Sequence, residues 1–207
     1  MKIVTRTNAI RNLQSFIGQD LAELAKQFDI QPFKDGKQNK GWKGLLLERL
    51  AGLQNNNSRA PNGLSFELKS VAFQEKKGII MPRETMAITM LNPHELVAHD
   101  FFKSHCWAKL KSIVFCAVEW TGSNAASAKL LKVANLDFAE DDELILEIKA
   151  DYDFIRNKLI TEGFVALTGK DGKWIQARTK GPGHGSVSRA FYAKKGLVKK
   201  IFEIADL

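Results

Sequence analysis

Leu21, Leu24, Ala25 and Phe28 recur at three- and four-residue spacing, the period of a helix with one buried stripe. Asp20 stands where an N-cap belongs, so an N-terminal helix is predicted there. The polar run Asp35 to Gly41 reads as a loop. A second helix follows from about Trp42 to Leu53, with Leu45, Leu46, Leu50 and Leu53 as its stripe and Gly52 near its end. At Leu64 the period changes to two. Leu64, Phe66 and Leu68 point one way, Ser65, Glu67 and Lys69 the other, which is a strand entered by an Asn62-Gly63 turn and continuing to Val71. Further strands are predicted at 85–91 and 112–120, and a long amphipathic helix over 140–161. Segments 164–168 and 173–178, joined by Gly169-Lys170-Asp171-Gly172, read as a hairpin. Gly181-Pro182-Gly183-His184-Gly185 is a flexible loop. A short strand near Phe191 and a helix to about Ile204 close the chain. Helices early and late around a mixed sheet make the class α/β or α+β.

The 207 residues suffice for one domain that hides roughly 70% of its unfolded surface. At 44% apolar and 26% charged, the composition excludes disorder, collagen and a disulfide scaffold. No run is long and apolar enough for a membrane span, and Met1 to Arg6 lack the apolar stretch of a secretory signal, so a cytoplasmic location is expected. Cys106 and Cys116 have no Cys-x-x-Cys or Cys/His company and read as reduced core thiols. His94, His99 and His105 lack metal-ligand spacing, so no zinc site is expected. Trp42, Trp107, Trp120 and Trp174 read as packing. Thirty-one Lys and Arg against 23 Asp and Glu leave a net charge of +8. The pI near 9.5 suits a polyanionic partner. Acids gather in 137–153, whereas the chain from Lys170 onward is strongly basic, so the positive charge is expected on one face.

Glu67 and Lys69 are two apart on a strand and share a face. A carboxylate there can hold a hard cation through oxygen, and the neighbouring ammonium can orient a water or steady charge building on a phosphate. Taken alone, Glu-x-Lys reads more simply as an exposed strand salt pair. Glu48 lies in the apolar helix run Leu45-Leu46-Leu47-Glu48-Arg49-Leu50. It reads either as a solvated charge or as a carboxylate fixing Lys69 or a metal-bound water. A further ligand is expected at the strand entry, where Asn62 stands five residues before Glu67.

The ordered set Lys40-Gly41-Trp42-Lys43-Gly44-Leu45-Leu46-Leu47-Glu48, Gly52 and Phe66-Glu67-Leu68-Lys69 resembles the MutH-type branch of the PD-(D/E)xK nucleases. That branch includes mismatch-repair nicking enzymes and restriction enzymes of the MvaI and BcnI kind. The resemblance continues through His105-Cys106-Trp107-Ala108-Lys109-Leu110-Lys111, a basic segment before a core strand. It extends to Arg178-Thr179-Lys180-Gly181-Pro182 and Arg189-Ala190-Phe191-Tyr192-Ala193-Lys194-Lys195, which look like DNA-reading elements. It implies a restriction-endonuclease-like mixed central sheet flanked by helices. It also implies one endonuclease domain over 1–207, with a catalytic lobe to about 120 and a DNA-reading lobe beyond.

By that resemblance Glu67 is the metal-binding carboxylate, Lys69 the motif lysine and Glu48 the accompanying helix glutamate. The metal-bridging aspartate falls on Asn62 in the BcnI-like spacing, or nearer Ala60 in the MutH-like one; the chain departs from the pattern at either position. An amide can coordinate a cation but brings no charge. Lys40, Lys109, Lys111, Arg178, Lys180, Gly181, His184, Arg189, Tyr192, Lys194 and Lys195 are the implied DNA contacts. The implied cofactor is Mg²⁺, with Mn²⁺ able to substitute and Ca²⁺ able to bind without supporting cleavage. The implied partner is double-stranded DNA, bound by a monomer without a membrane. The first expectation is a type II, sequence-specific endonuclease. The alternatives are a mismatch-repair strand nickase working with repair partner proteins, and a DNA-binding protein silenced at Asn62.

Overall fold

The computed structural model describes residues 4–34, 37–39, 41–53, 65–122, 128–180 and 187–205. Asn62 and Gly63, Lys40, and the loop with Gly181 and His184 lie outside them. Helix α1 (Arg6–Gln14) precedes the expected first helix; the Thr5 hydroxyl accepts the Asn8 N–H at its start. The helix capped by Asp20 is α2 (Leu21–Lys26), where the carboxylate accepts the Ala22 N–H. It stops before Phe28, which is exposed. Two two-residue strands, β1 (Phe33–Lys34) and β2 (Lys37–Gln38), pair before α3 (Trp42–Leu50). α3 buries Leu46, Leu47 and Leu50. Gly52, at φ +83°, turns the chain out of it.

Strand β3 (Glu67–Lys76) runs longer than the alternation predicted. Lys77 and Gly78 both take positive φ, the conformation of a tight hairpin turn, and lead into β4 (Ile79–Pro82). Then come β5 (Met86–Met90), α4 (Pro93–Ala98), α5 (His105–Leu110), β6 (Ser112–Glu119) and β7 (Leu130–Asp137). The long α6 (Glu143–Glu162), β8 (Ile175–Thr179), β9 (Arg189–Ala193) and α7 (Lys195–Ile204) complete the order.

Beyond the β1–β2 pair, the described residues form two larger sheets, of strand order β4-β3-β6-β7 and β5-β9-β8. β3 and β6 are parallel, while the other pairs in both sheets are antiparallel. The mixed first sheet with flanking helices makes this an α/β fold. Seven of the eight β6 residues are buried, so β6 is the spine. Alternation sends its side chains into two cores. Val114, Cys116 and Val118, with Phe66 and Leu68, pack against α1, α2 and α3. Ile113, Phe115 and Ala117, with Val71 and Phe73, pack against α5, α6, α7 and the second sheet.

The hairpin expected over 164–178 does not form. Residues 164–166 make a 3-10 turn instead, and β8 pairs with β9. One carboxylate explains this. Asp151, buried on α6, accepts the N–H groups of Lys173 (2.7 Å), Trp174 (2.5 Å) and Ile175 (2.9 Å). The segment entering β8 is thereby tied to α6 rather than folded back on 164–168. Gly172 sits at φ +72°, and a Cβ there would lie 2.2 Å from the Ile175 carbonyl oxygen, so no other residue fits. Asp151→Ala would leave three donors without their acceptor. It should destabilise the protein by at least about 3 kcal/mol in urea unfolding, with Asp151→Asn intermediate.

Candidate active site

Glu67 is the first residue of β3 and Lys69 the third, on the strand face that further along carries Val71 and Phe73 into the larger core. The pair therefore stands at the end of a core face. Glu67 is only 3% exposed, which overturns the simpler picture of an exposed salt pair. A buried carboxylate requires charge compensation. Two ammonium groups supply it at the same oxygen: Lys69 Nζ donates to Glu67 Oε1 at 2.9 Å and Lys109 Nζ at 3.2 Å. Lys109 comes from α5, packed beside β5 and β6.

Lys69 has a second anchor, the Ile88 carbonyl oxygen at 3.0 Å. The β5–β9 register shifts between Ala87 and Thr89, so Ile88 is the extra residue of a β-bulge. Bulges re-aim groups in this way beside functional sites. Burial holds the Lys69 ammonium below the ordinary lysine range. Glu67 opposes that shift, and the positive charges of Lys109 and Lys180 add to it. Two ammonium groups thus meet one buried carboxylate, and the charge of Lys180 reaches Lys69, an arrangement suited to a polyanion.

Lys109, expected as a DNA contact, sits directly on Glu67. Lys180, just past β8, is exposed and close enough for its charge to act on Lys69. Glu48 is half-buried on α3, which packs against the other face of β3; a Cβ at Gly44 would lie 3.8 Å from Ser70 Oγ. Arg178 is exposed, its guanidinium 4.2 Å from the Tyr192 ring centre, and Tyr192 beneath it is only 9% exposed. Lys111 and Lys195 are exposed at the end of α5 and the start of α7.

Two expected DNA contacts have other partners. Arg189 is buried, donates to the carbonyls of Leu167, Val165 and Val187, and stacks on Phe164, so it ties the loops around β9 together. Lys194 donates to the Gly172 carbonyl, closing the turn before β8. No residue pattern marked the Ile88 carbonyl in advance, because a bulge is a property of strand pairing. The role of Lys109 had a partial signal, the basic segment before β6.

For a metal, Glu67 offers the oxygen ligand that a hard cation prefers. Among the described residues no group of three or more His, Cys, Asp or Glu side chains gathers. The described residues therefore fit a cation through Glu67 only in part.

A family model described as the DNA mismatch repair enzyme MutH matches residues 52–149, a span that takes in Glu67, Lys69 and Lys109. The chain is 23% identical to the DNA mismatch repair protein MutH of Klebsiella pneumoniae, over 86% of this chain and 76% of that protein. It is 23% identical to the Haemophilus influenzae protein of the same name, over 89% of this chain and 82% of the relative. The Pectobacterium atrosepticum protein of that name is 25% identical, over 83% and 73%. By the matched span and these relatives, the chain is similar to the MutH-type branch of the PD-(D/E)xK nucleases.

Proposed function

We propose that this chain is a divalent-metal-dependent DNA endonuclease that nicks duplex DNA in the manner its MutH-named relatives suggest. The observation that carries the reading is the buried Glu67 with Lys69 and Lys109 on one oxygen, inside the segment the family model matches. The nicking reading takes precedence over the type II restriction reading because the relatives are named for mismatch repair. Double-stranded DNA is the partner, joined by mismatch-repair partner proteins. We further propose one endonuclease domain in which Arg178, Lys180 and the loop after them approach DNA while β3 and α5 hold the reacting phosphate.

Mg²⁺ would be held by Glu67 and by the strand entry around Asn62, and when bound it would polarise the scissile phosphate and lower the pKa of water. The protein's own groups do the rest. Lys109 balances Glu67 and fixes its orientation. Lys69, held by Glu67 and the Ile88 carbonyl, presents positive charge where charge builds on the phosphate. Lys180 adds a further cation on the open side.

Three outcomes test this. Supercoiled plasmid with Mg²⁺ should accumulate as nicked circles; linear product as the first species would favour the restriction reading, and binding without any product the silent one. Lys69→Ala should lower cleavage by roughly 100-fold or more while DNA affinity stays within a few-fold, measured by single-turnover cleavage and by titration in Ca²⁺. Equal cleavage would remove Lys69 from the chemistry. Asn62→Asp should raise cleavage by orders of magnitude, and Mg²⁺ should raise the melting temperature of the aspartate form more than that of the parent. Equal rates and equal metal shifts would move the ligand role elsewhere.

A further inference from the structure

A cleft of about 390 Å³ opens between the end of β5, the start of α4 and the start of α5, with Met90, His94, Glu95 and His105 among its walls. Its two sides belong to the elements that build the Glu67 cluster. β5 supplies the Ile88 carbonyl to Lys69, and Thr89 and Met90 continue from there along the cleft. α5 supplies Lys109, and His105 lies four residues earlier on the same helix face. Such pairs stand about 5–6 Å apart at Cβ. Cys106, between them in sequence, lines the inner end of a contiguous pocket and lies near enough to Lys69 to feel its charge.

His105 Nε2 lies 3.4 Å from Glu95 Oε2, and both side chains remain partly exposed, at 44% and 33%. A carboxylate on one ring nitrogen fixes the ring orientation, and a phosphate arriving at Nδ1 would be bound by the doubly protonated ring. Among the described residues no hydrogen bond to that nitrogen is seen. One helical turn, about 5.4 Å, separates His105 from Lys109 along α5. We propose that this cleft is a second phosphate subsite, in which His105, oriented by Glu95, binds the DNA phosphate next to the scissile one. The proposal rests on the endonuclease reading. His105 is thus a substrate-positioning residue rather than a member of the reacting cluster.

The test is phosphate ethylation interference on a bound duplex in Ca²⁺, with the wild-type chain, His105→Ala, His105→Arg and Glu95→Gln. Wild type should show interference at a phosphate that His105→Ala no longer senses, with all other interfering positions retained and affinity about tenfold lower. His105→Arg should restore the band, and Glu95→Gln should weaken it. Identical interference patterns in wild type and His105→Ala would overturn the subsite. So would a uniform affinity loss accompanied by a lower melting temperature, which would make the His105–Glu95 pair a tether between α4 and α5. If wild type binds no duplex at all, the endonuclease reading itself fails and the subsite falls with it.

Discussion

A carboxylate almost wholly out of water at the start of β3 constrains everything around it. Removing an ion from water carries a penalty of several kcal/mol, offset only by good hydrogen bonds and opposite charge. Glu67 meets that condition with two lysines on one oxygen, and both come from buried elements rather than from loops. The cluster carries one positive charge more than it needs for neutrality, and Lys180 adds another nearby. That surplus suits the arrival of a phosphodiester anion. It would be a poor arrangement if stability were its only purpose.

The two sheets meet at this point. β3 belongs to the mixed sheet, yet Lys69 reaches across to the bulge in β5, the edge of the other sheet. β5 is bonded to β9, and β9 to β8, the strand that carries Arg178 and leads to Lys180. Lys69 and the strand that carries Arg178 thus share one hydrogen-bonded framework. Asp151 and Arg189, buried polar groups with multiple backbone partners, hold the rest of that framework to α6 and to the loops around β9.

Legibility in the sequence followed the range of the interaction. The helices capped by Asp20 and running from Trp42, the β6 strand and α6 were readable because periodicity and caps act within a few residues. Glu67 and Lys69 were readable as a pair for the same reason. Their burial was not, because it depends on Val71 and Phe73 turning the same face into the core. The false hairpin at 164–178 had good local turn residues, but Asp151, more than 20 positions earlier, claims the backbone donors. Arg189 enters the expected DNA contacts through the resemblance of its segment to the family's DNA-reading elements. Only the fold reveals the carbonyls that surround it.

Glu67 and its two lysines form one buried, mutually dependent unit. A double-mutant cycle on unfolding free energy, with Glu67→Gln, Lys109→Met and the pair, tests it without reference to catalysis. Each single change should destabilise the protein, and the double change should cost less than their sum, with a coupling of about 1–3 kcal/mol. Additive effects would mean that Lys109 and Glu67 do not act on one another, and the site described here would be wrong.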